Sequence, residues 1–205
     1  IINIINNDTS DHQLKIKGVW TSSIIGTGNN IVDTLVFSDS GLFIMYDPLS
    51  QTSNDGLGGI IQVGFKQNMS FYWNIRTFDS NGASNSYNPN YFTINTKSKP
   101  DIVNDSTAVP RGHIGDTINI FIANTGLSIH SLHFHGFHSE IIYSSKFADH
   151  VGRVKDTFPI YPGSSLILKM IPDKLGIYPV HDHNLTAVSG GGYYPNGMFI
   201  SMEID

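Results

Sequence analysis

Residues 114–123 read IGDTINIFIA, and this stretch decides the fold. After a Gly-Asp turn signal, apolar side chains recur at every second position, the period of a half-buried strand. Residues 14–19 (LKIKGV) alternate in the same way, and residues 166–171 (LILKMI) form a short β-rich run. Turn residues punctuate the chain at short intervals: Gly26-Thr27-Gly28-Asn29, Asp39-Ser40-Gly41, Asn54-Asp55-Gly56, Tyr161-Pro162-Gly163 and Gly190-Gly191-Gly192. No segment carries a long apolar stripe at helical spacing behind a capping residue. The chain is therefore expected to be all-β, of sandwich type. Residues 79–90 (DSNGASNSYNPN) hold almost no core-forming side chains and read as a linker. They divide the chain into domains at 1–80 and 91–205, with 81–90 between them.

The 205 residues are enough to bury a substantial core, and 40% apolar content with a net charge of only -5 argues against disorder. Charged residues make up 14%, so neutral Asn, Ser and Thr supply much of the polar surface, as in strand-and-turn proteins found outside the cytoplasm. No Lys/Arg cluster offers a footprint for nucleic acid or an anionic membrane. No apolar run approaches the ~18–20 residues that span a bilayer, so no transmembrane segment is expected. The absence of cysteine excludes a disulfide scaffold, a thiolate zinc site, an iron–sulfur cluster and a cysteine nucleophile. It also excludes a blue copper centre, whose properties depend on a thiolate.

The two halves read as copies. INIINNDTSDHQLKIKG near the start lines up with NIFIANTGLSIHSLHFHG, which sets His12 on His130 and Gly18 on Gly136. GLFIMYDP then matches GIYPVHDH, setting Asp47 on Asp182, and DGLGGIIQV matches NGMFISMEI. The second half has a lead-in before its first matched strand that the first half lacks. The first domain is accordingly expected to be truncated at its N-terminus by one or two strands, on the order of 25 residues.

Five of the nine histidines lie in His130-Ser131-Leu132-His133-Phe134-His135-Gly136 and His181-Asp182-His183. Side chains two apart on a strand share a face. His133 and His135 therefore point one way, as do His181 and His183, and four imidazoles converge if the strands are neighbours. The same parity sends His130 and Asp182 to the opposite side as a second polar pair. Imidazole clusters without thiolate suit Cu(II), Zn(II) or Ni(II). Single His12, His113, His138 and His150 are most simply surface or satisfied core. His130 with Asp182 equally fits a plain hydrogen-bonded pair.

HSLHFHG, DTFPIYPGSS, GIYPVHDH and YPNGM, in this order, resemble the last cupredoxin domain of multicopper oxidases. The resemblance is strong over 91–205 and weak over the first half. It implies two cupredoxin-like Greek-key β-sandwich domains. It also implies that His130 stands at a type 1 copper position and His133 and His135 at trinuclear-cluster positions. In the later family motif His181 and His183 match the type 3 ligands and Met198 the axial methionine. Asp182 replaces the type 1 cysteine, and Ala187 stands where the second type 1 histidine belongs. His130, Asp182 and Met198 thus mark a degenerate type 1 position, while His133, His135, His181 and His183 form a metal site for copper, or zinc as the lesser candidate. The first half, with Lys15 and Lys17 where its H-x-H pair would stand, has no ligand set.

Three functions follow as expectations. The first is a secreted copper-binding protein without laccase-type turnover. The second is a copper-dependent oxidoreductase completed by another subunit of a homo-oligomer, with Asp182 as a proton relay. The third is a self-assembling cell-surface or filament module in which the histidines are inherited. Sequons at Asn7, Asn68, Asn104 and Asn184 agree with an extracellular surface. Tyr193 and Tyr194 are expected to cover the vacated type 1 region or, as the second choice, to form a contact surface, and residues 156–165 to form a rigid proline turn.

Overall fold

The computed structural model describes residues 1–49, 57–65, 69–80 and 87–205. The turn signal Asn54-Asp55-Gly56, the Asn68 sequon and residues 81–86 of the expected linker lie outside the described residues.

The N-terminal strands are β1 (Ile2–Ile5), β2 (Lys15–Ile16), β3 (Trp20–Thr21), β4 (Asn30–Asp33), β5 (Gly41–Tyr46) and β6 (Gly58–Val63). β1 pairs with β4, and the other four form an antiparallel sheet in the order β3-β2-β5-β6. The remaining strands are β7 (Met69–Phe78), β8 (Tyr91–Ile94), β9 (Arg111–Gly112), β10 (Ile118–Asn124), β11 (His130–Phe134), β12 (Ser139–Ser144), β13 (Val154–Lys155), β14 (Thr157–Ile160), β15 (Ser165–Met170), β16 (Gly176–Asp182) and β17 (Phe199–Ile204). They make two facing sheets, β13-β12-β15-β10-β7-β8 and β14-β11-β16-β17-β9. Among the described residues the chain is all-β apart from short 3-10 turns at Asp101–Asn104, Ala148–His150 and Leu185–Val188. No helix among the described residues is long and apolar enough to cross a membrane.

Between the facing sheets the alternate residues Ile118, Ile120 and Ile122 of β10 meet Leu132, Phe134, Phe158, Val180 and Ile200 from the opposite sheet. Trp73 of β7 stacks on Phe134, ring centroids 5.7 Å apart, and its indole N–H donates to the Ala108 carbonyl at 2.6 Å. The other face of β10 is also buried. Phe121 and Ala123 pack with Ile167 of β15 against Leu42 and Ile44 of the N-terminal sheet. Tyr72 lies parallel on Phe121 at 5.0 Å. The six-stranded sheet therefore serves two cores, one inside the C-terminal sandwich and one shared with the N-terminal unit.

This arrangement corrects the expected domain boundary. β7 runs parallel beside β10 and antiparallel beside β8, so the segment at 81–90 joins two neighbouring strands of one sheet instead of linking domains. Phe71, Trp73 and Ile75 belong to the C-terminal core although they precede residue 80. Residues 156–165 differ as well. Thr157–Ile160 is a strand paired with β11, and only the Pro162-Gly163 portion turns.

Phe121 has no solvent exposure and lies in the core between the units. Phe121→Ala is expected to lower unfolding free energy by about 3–5 kcal/mol. It should also split the denaturation profile, with the N-terminal unit melting first. A single unshifted transition would contradict a shared core.

Candidate functional site

β11 and β16 are antiparallel neighbours with His133 directly opposite His181. That register, with the two-residue strand period, gathers the four imidazoles on one face. Ring centroids of His133 lie 4.7 Å from His135, 5.7 Å from His181 and 5.6 Å from His183. His135 and His181 bring their Nε2 atoms to 3.0 Å. Gly136 ends the strand at φ +82°, and a Cβ there would stand 2.3 Å from the Tyr178 ring, so the turn requires glycine.

Hydrogen bonds set the tautomers of two rings. The Thr157 hydroxyl donates to Asp156 at 3.0 Å, and a carboxylate only accepts. Thr157 must then accept from His133 Nδ1–H at 2.9 Å, which leaves the Nε2 lone pair of neutral His133 free. His181 Nδ1–H donates to the Asp182 carbonyl at 2.8 Å, so its Nε2 carries the lone pair, which accepts from His135 Nε2–H. His135 has its pKa lowered by burial first, then by the nearby His133 and His181, which favours the neutral ring. Asp156 is held below the usual carboxylate range by its Thr157 hydrogen bond, with smaller contributions from His133 and His138. A cavity of about 300 Å³ opens beside this face, lined by His133, His135, Phe137, His138 and Asp156. Among the described residues no three His, Asp or Glu side chains are already arranged around a common point. Lone-pair donors are in place, but closing them on an ion requires rotation of the rings.

The opposite face carries the second pair. His130 and Asp182 are 1% and 0% exposed, and Nδ1 lies 2.5 Å from Oδ2. The backbone amides of Ser131 and Asn184 donate to Oδ1 at 3.2 and 2.9 Å. Ala187 and Met198 are buried beside them: Met198 N–H donates to the Ala187 carbonyl, and Asp182 N–H to the Met198 carbonyl. The structure thus brings His130, Asp182, Ala187 and Met198 together. Tyr193 and Tyr194 do not cover this spot, because at 73% and 71% exposure they stand in solvent. Ala187, Val188 and Met198 are buried there, whereas residues 191–194 of the insertion are exposed.

The N-terminal unit repeats this geometry. His12 Nδ1 meets Asp47 Oδ2 at 2.6 Å, and Gln13 and Leu49 amides donate to Asp47 Oδ1 at 3.2 and 2.8 Å. Lys15 pairs with Tyr46 and Thr21 as His133 pairs with His181 and Thr157. Asp47 N–H donates to Leu57 as Asp182 N–H does to Met198. The duplication read from sequence therefore extends to individual hydrogen bonds. His12, expected to be unremarkable, is the counterpart of His130 and also meets Asp8 at 2.9 Å through Nε2.

A family model described as multicopper oxidase matches residues 65–204. The chain belongs to the multicopper oxidase family. Ceruloplasmin of Homo sapiens is 28% identical over 81 residues, covering 38% of this chain and 7% of ceruloplasmin. The chain thus matches only a small part of that relative's length. The blue copper oxidase of Nitrosomonas europaea superposes with a TM-score of 0.84 at 19% identity, covering 98% of this chain and 72% of that one. A copper nitrite reductase from the same organism gives 0.79 at 18% identity, covering 99% and 78%. At these identities the likeness is one of fold, the cupredoxin-like sandwich.

Three residues that sequence reasoning passed over belong to the site's surroundings: Thr157, Asp156 and His138. Alternation within 157–160 was the available signal for placing Thr157 beside β11.

Asp182→Ala removes the acceptor of three donors, among them the buried His130 ring, and is expected to destabilise the fold by about 3–5 kcal/mol, read from the denaturant midpoint. His12 gives a pH test. Hydrogen bonds to Asp47, then Asp8, raise its pKa above the ordinary 6.5. Its contribution to stability is present below that value and is lost as pH rises through the raised folded pKa. An NMR titration placing the His12 midpoint at or below 6.5 would contradict the pairing.

Proposed function

We propose that the C-terminal sandwich binds copper through His133, His135, His181 and His183, in a secreted protein with no blue type 1 site. The observation carrying this reading is that two rings have Nδ1 tied back, to Thr157 and to the Asp182 carbonyl, leaving Nε2 toward the shared face. Metal-ligating histidines are oriented in this way by outer hydrogen bonds. The 3.0 Å separation of His135 and His181 Nε2 atoms also suits two nitrogens bound to one ion. An all-imidazole donor set fits Cu(II) and accepts zinc second. Bound copper supplies one-electron chemistry. The chain's own residues bind the ion, fix the ring tautomers through Thr157, and border the site with Asp156 and His138.

The buried position behind this face does not fit a blue copper. Asp182 offers hard oxygen instead of a thiolate, and its carboxylate is already committed to His130, Ser131 and Asn184. With no solvent exposure and three internal donors, Asp182 acts as a positioning residue, not as a proton relay. Secretion is supported by low charge content and by sequons at exposed Asn7, Asn104 and Asn184.

A second reading, an oxidoreductase completed by another subunit, is favoured by one observation. His135 and His183 are exposed, and the N-terminal unit presents Lys15 and Tyr46 where the C-terminal unit has His133 and His181. Further ligands would have to come from outside this chain. Oxygen uptake that appears only in an oligomer would favour this reading.

Metal analysis after copper loading and desalting is expected to give about one equivalent per chain, and less than about 0.2 would overturn the proposal. Thr157→Val should weaken copper binding by about 10–100-fold without removing a ligand. The loaded protein should lack an intense blue absorption band. The double variant Asp182→Cys, Ala187→His should gain one, because position 182 adjoins His130 and both positions bond to the Met198 backbone.

A further inference from the structure

We propose a binding site for a small organic anion, a carboxylate or phosphate ester with an apolar body, in the cleft between the N-terminal sheet and the C-terminal sandwich. The cleft encloses about 340 Å³ and is lined by Lys17, Leu42, Phe43, Tyr143, Ser145 and Lys146, together with the 162–165 turn. Its size suits a compact ligand. Two ammonium groups line it, and no described Asp or Glu does.

Each cation retains capacity for a ligand. Lys17 Nζ donates one hydrogen to the Gly163 carbonyl at 2.6 Å, so two remain. Lys146 Nζ lies 4.7 Å from the Tyr161 ring centroid and 5.6 Å from that of Phe147, contacts that hold the ammonium without satisfying its donors. Ser145 Oγ accepts from the Ser165 amide at 2.8 Å and keeps its own proton for a ligand. Ser164 and Ser165 have donated theirs, to the Tyr161 and Leu42 carbonyls, so the anion-facing donors are Lys17, Lys146 and Ser145. Leu42, Phe43 and Tyr143 provide the apolar wall.

The position of Lys17 adds an independent argument. In the duplicated geometry Lys17 occupies the place of His135: Lys17 N–H donates to the Ile44 carbonyl as His135 N–H does to Pro179. The strand face that gathers imidazoles in one copy gathers a primary amine in the other, and that amine crosses to the C-terminal unit. An anion held here bridges the two units, because Lys17 comes from one and Lys146 from the other. The proposal does not depend on metal at the histidine face.

Phenyl phosphate titrated into the intact chain, followed by calorimetry and amide NMR, tests it. Saturable binding is expected, with shifts at Gly18, Ser145 and Gly163 and weakening as salt rises. Lys17→Gln and Lys146→Gln should each weaken binding by about tenfold, as loss of a charge-assisted hydrogen bond does, while copper uptake is unchanged. Both lysines are exposed, so the variants retain the fold. Benzylammonium binding as tightly as phenyl phosphate, absence of saturation, or a Lys17/Lys146 double variant that binds like the unmodified chain would overturn the proposal.

Discussion

A carboxylate with no solvent exposure sits where β11 and β16 pair, and it persists there only because donors surround it. Asp182 takes the His130 ring on one oxygen and two backbone amides on the other. Those amides belong to Ser131 on one strand and Asn184 just past the other. The carboxylate therefore pins the register in which His133 stands opposite His181. A slip of one residue would turn every histidine to the wrong face. The exposed chemistry depends on this buried clamp.

The clamp in turn rests on a sheet packed on both sides. Phe121 and Ala123 face the N-terminal unit, while Ile120 and Ile122 face the sandwich core. The two units are thus parts of one packing problem, joined through β10 and β15. The cleft holding Lys17 and Lys146 lies along the same junction. Contact there is polar at the rim, where Lys17 donates to the Gly163 carbonyl, and apolar beneath.

Strand character and the two histidine faces were legible because both follow from a period of two. The internal repeat was legible too, down to His12 with His130 and Asp47 with Asp182, since matched spacing implies matched geometry. The domain boundary was not. A polar, Gly- and Asn-rich stretch has the same composition whether it connects domains or closes a hairpin, and only the pairing of β7 with β8 distinguishes them. The burial of Phe121 and Ala123 was not legible either, because a second packed face on a strand leaves no separate mark. Thr157 was hidden among many hydroxyls, and its role depends on a carboxylate one residue away that forces it to accept from His133.

Two copies of the clamp, one in each unit, have consequences for assembly. In both, the cross-link between adjacent strands is made of protons and carboxylate oxygens, so strand register is reached without an inorganic ion. Acquisition of metal is thereby uncoupled from folding. The sandwich would stay intact while the imidazole rings rotate to load, release and reload an ion. The unit that carries Lys15 and Lys17 shows the same freedom from the other side. Once the clamp alone maintains the strands, the facing residues can change chemistry altogether without loss of the fold.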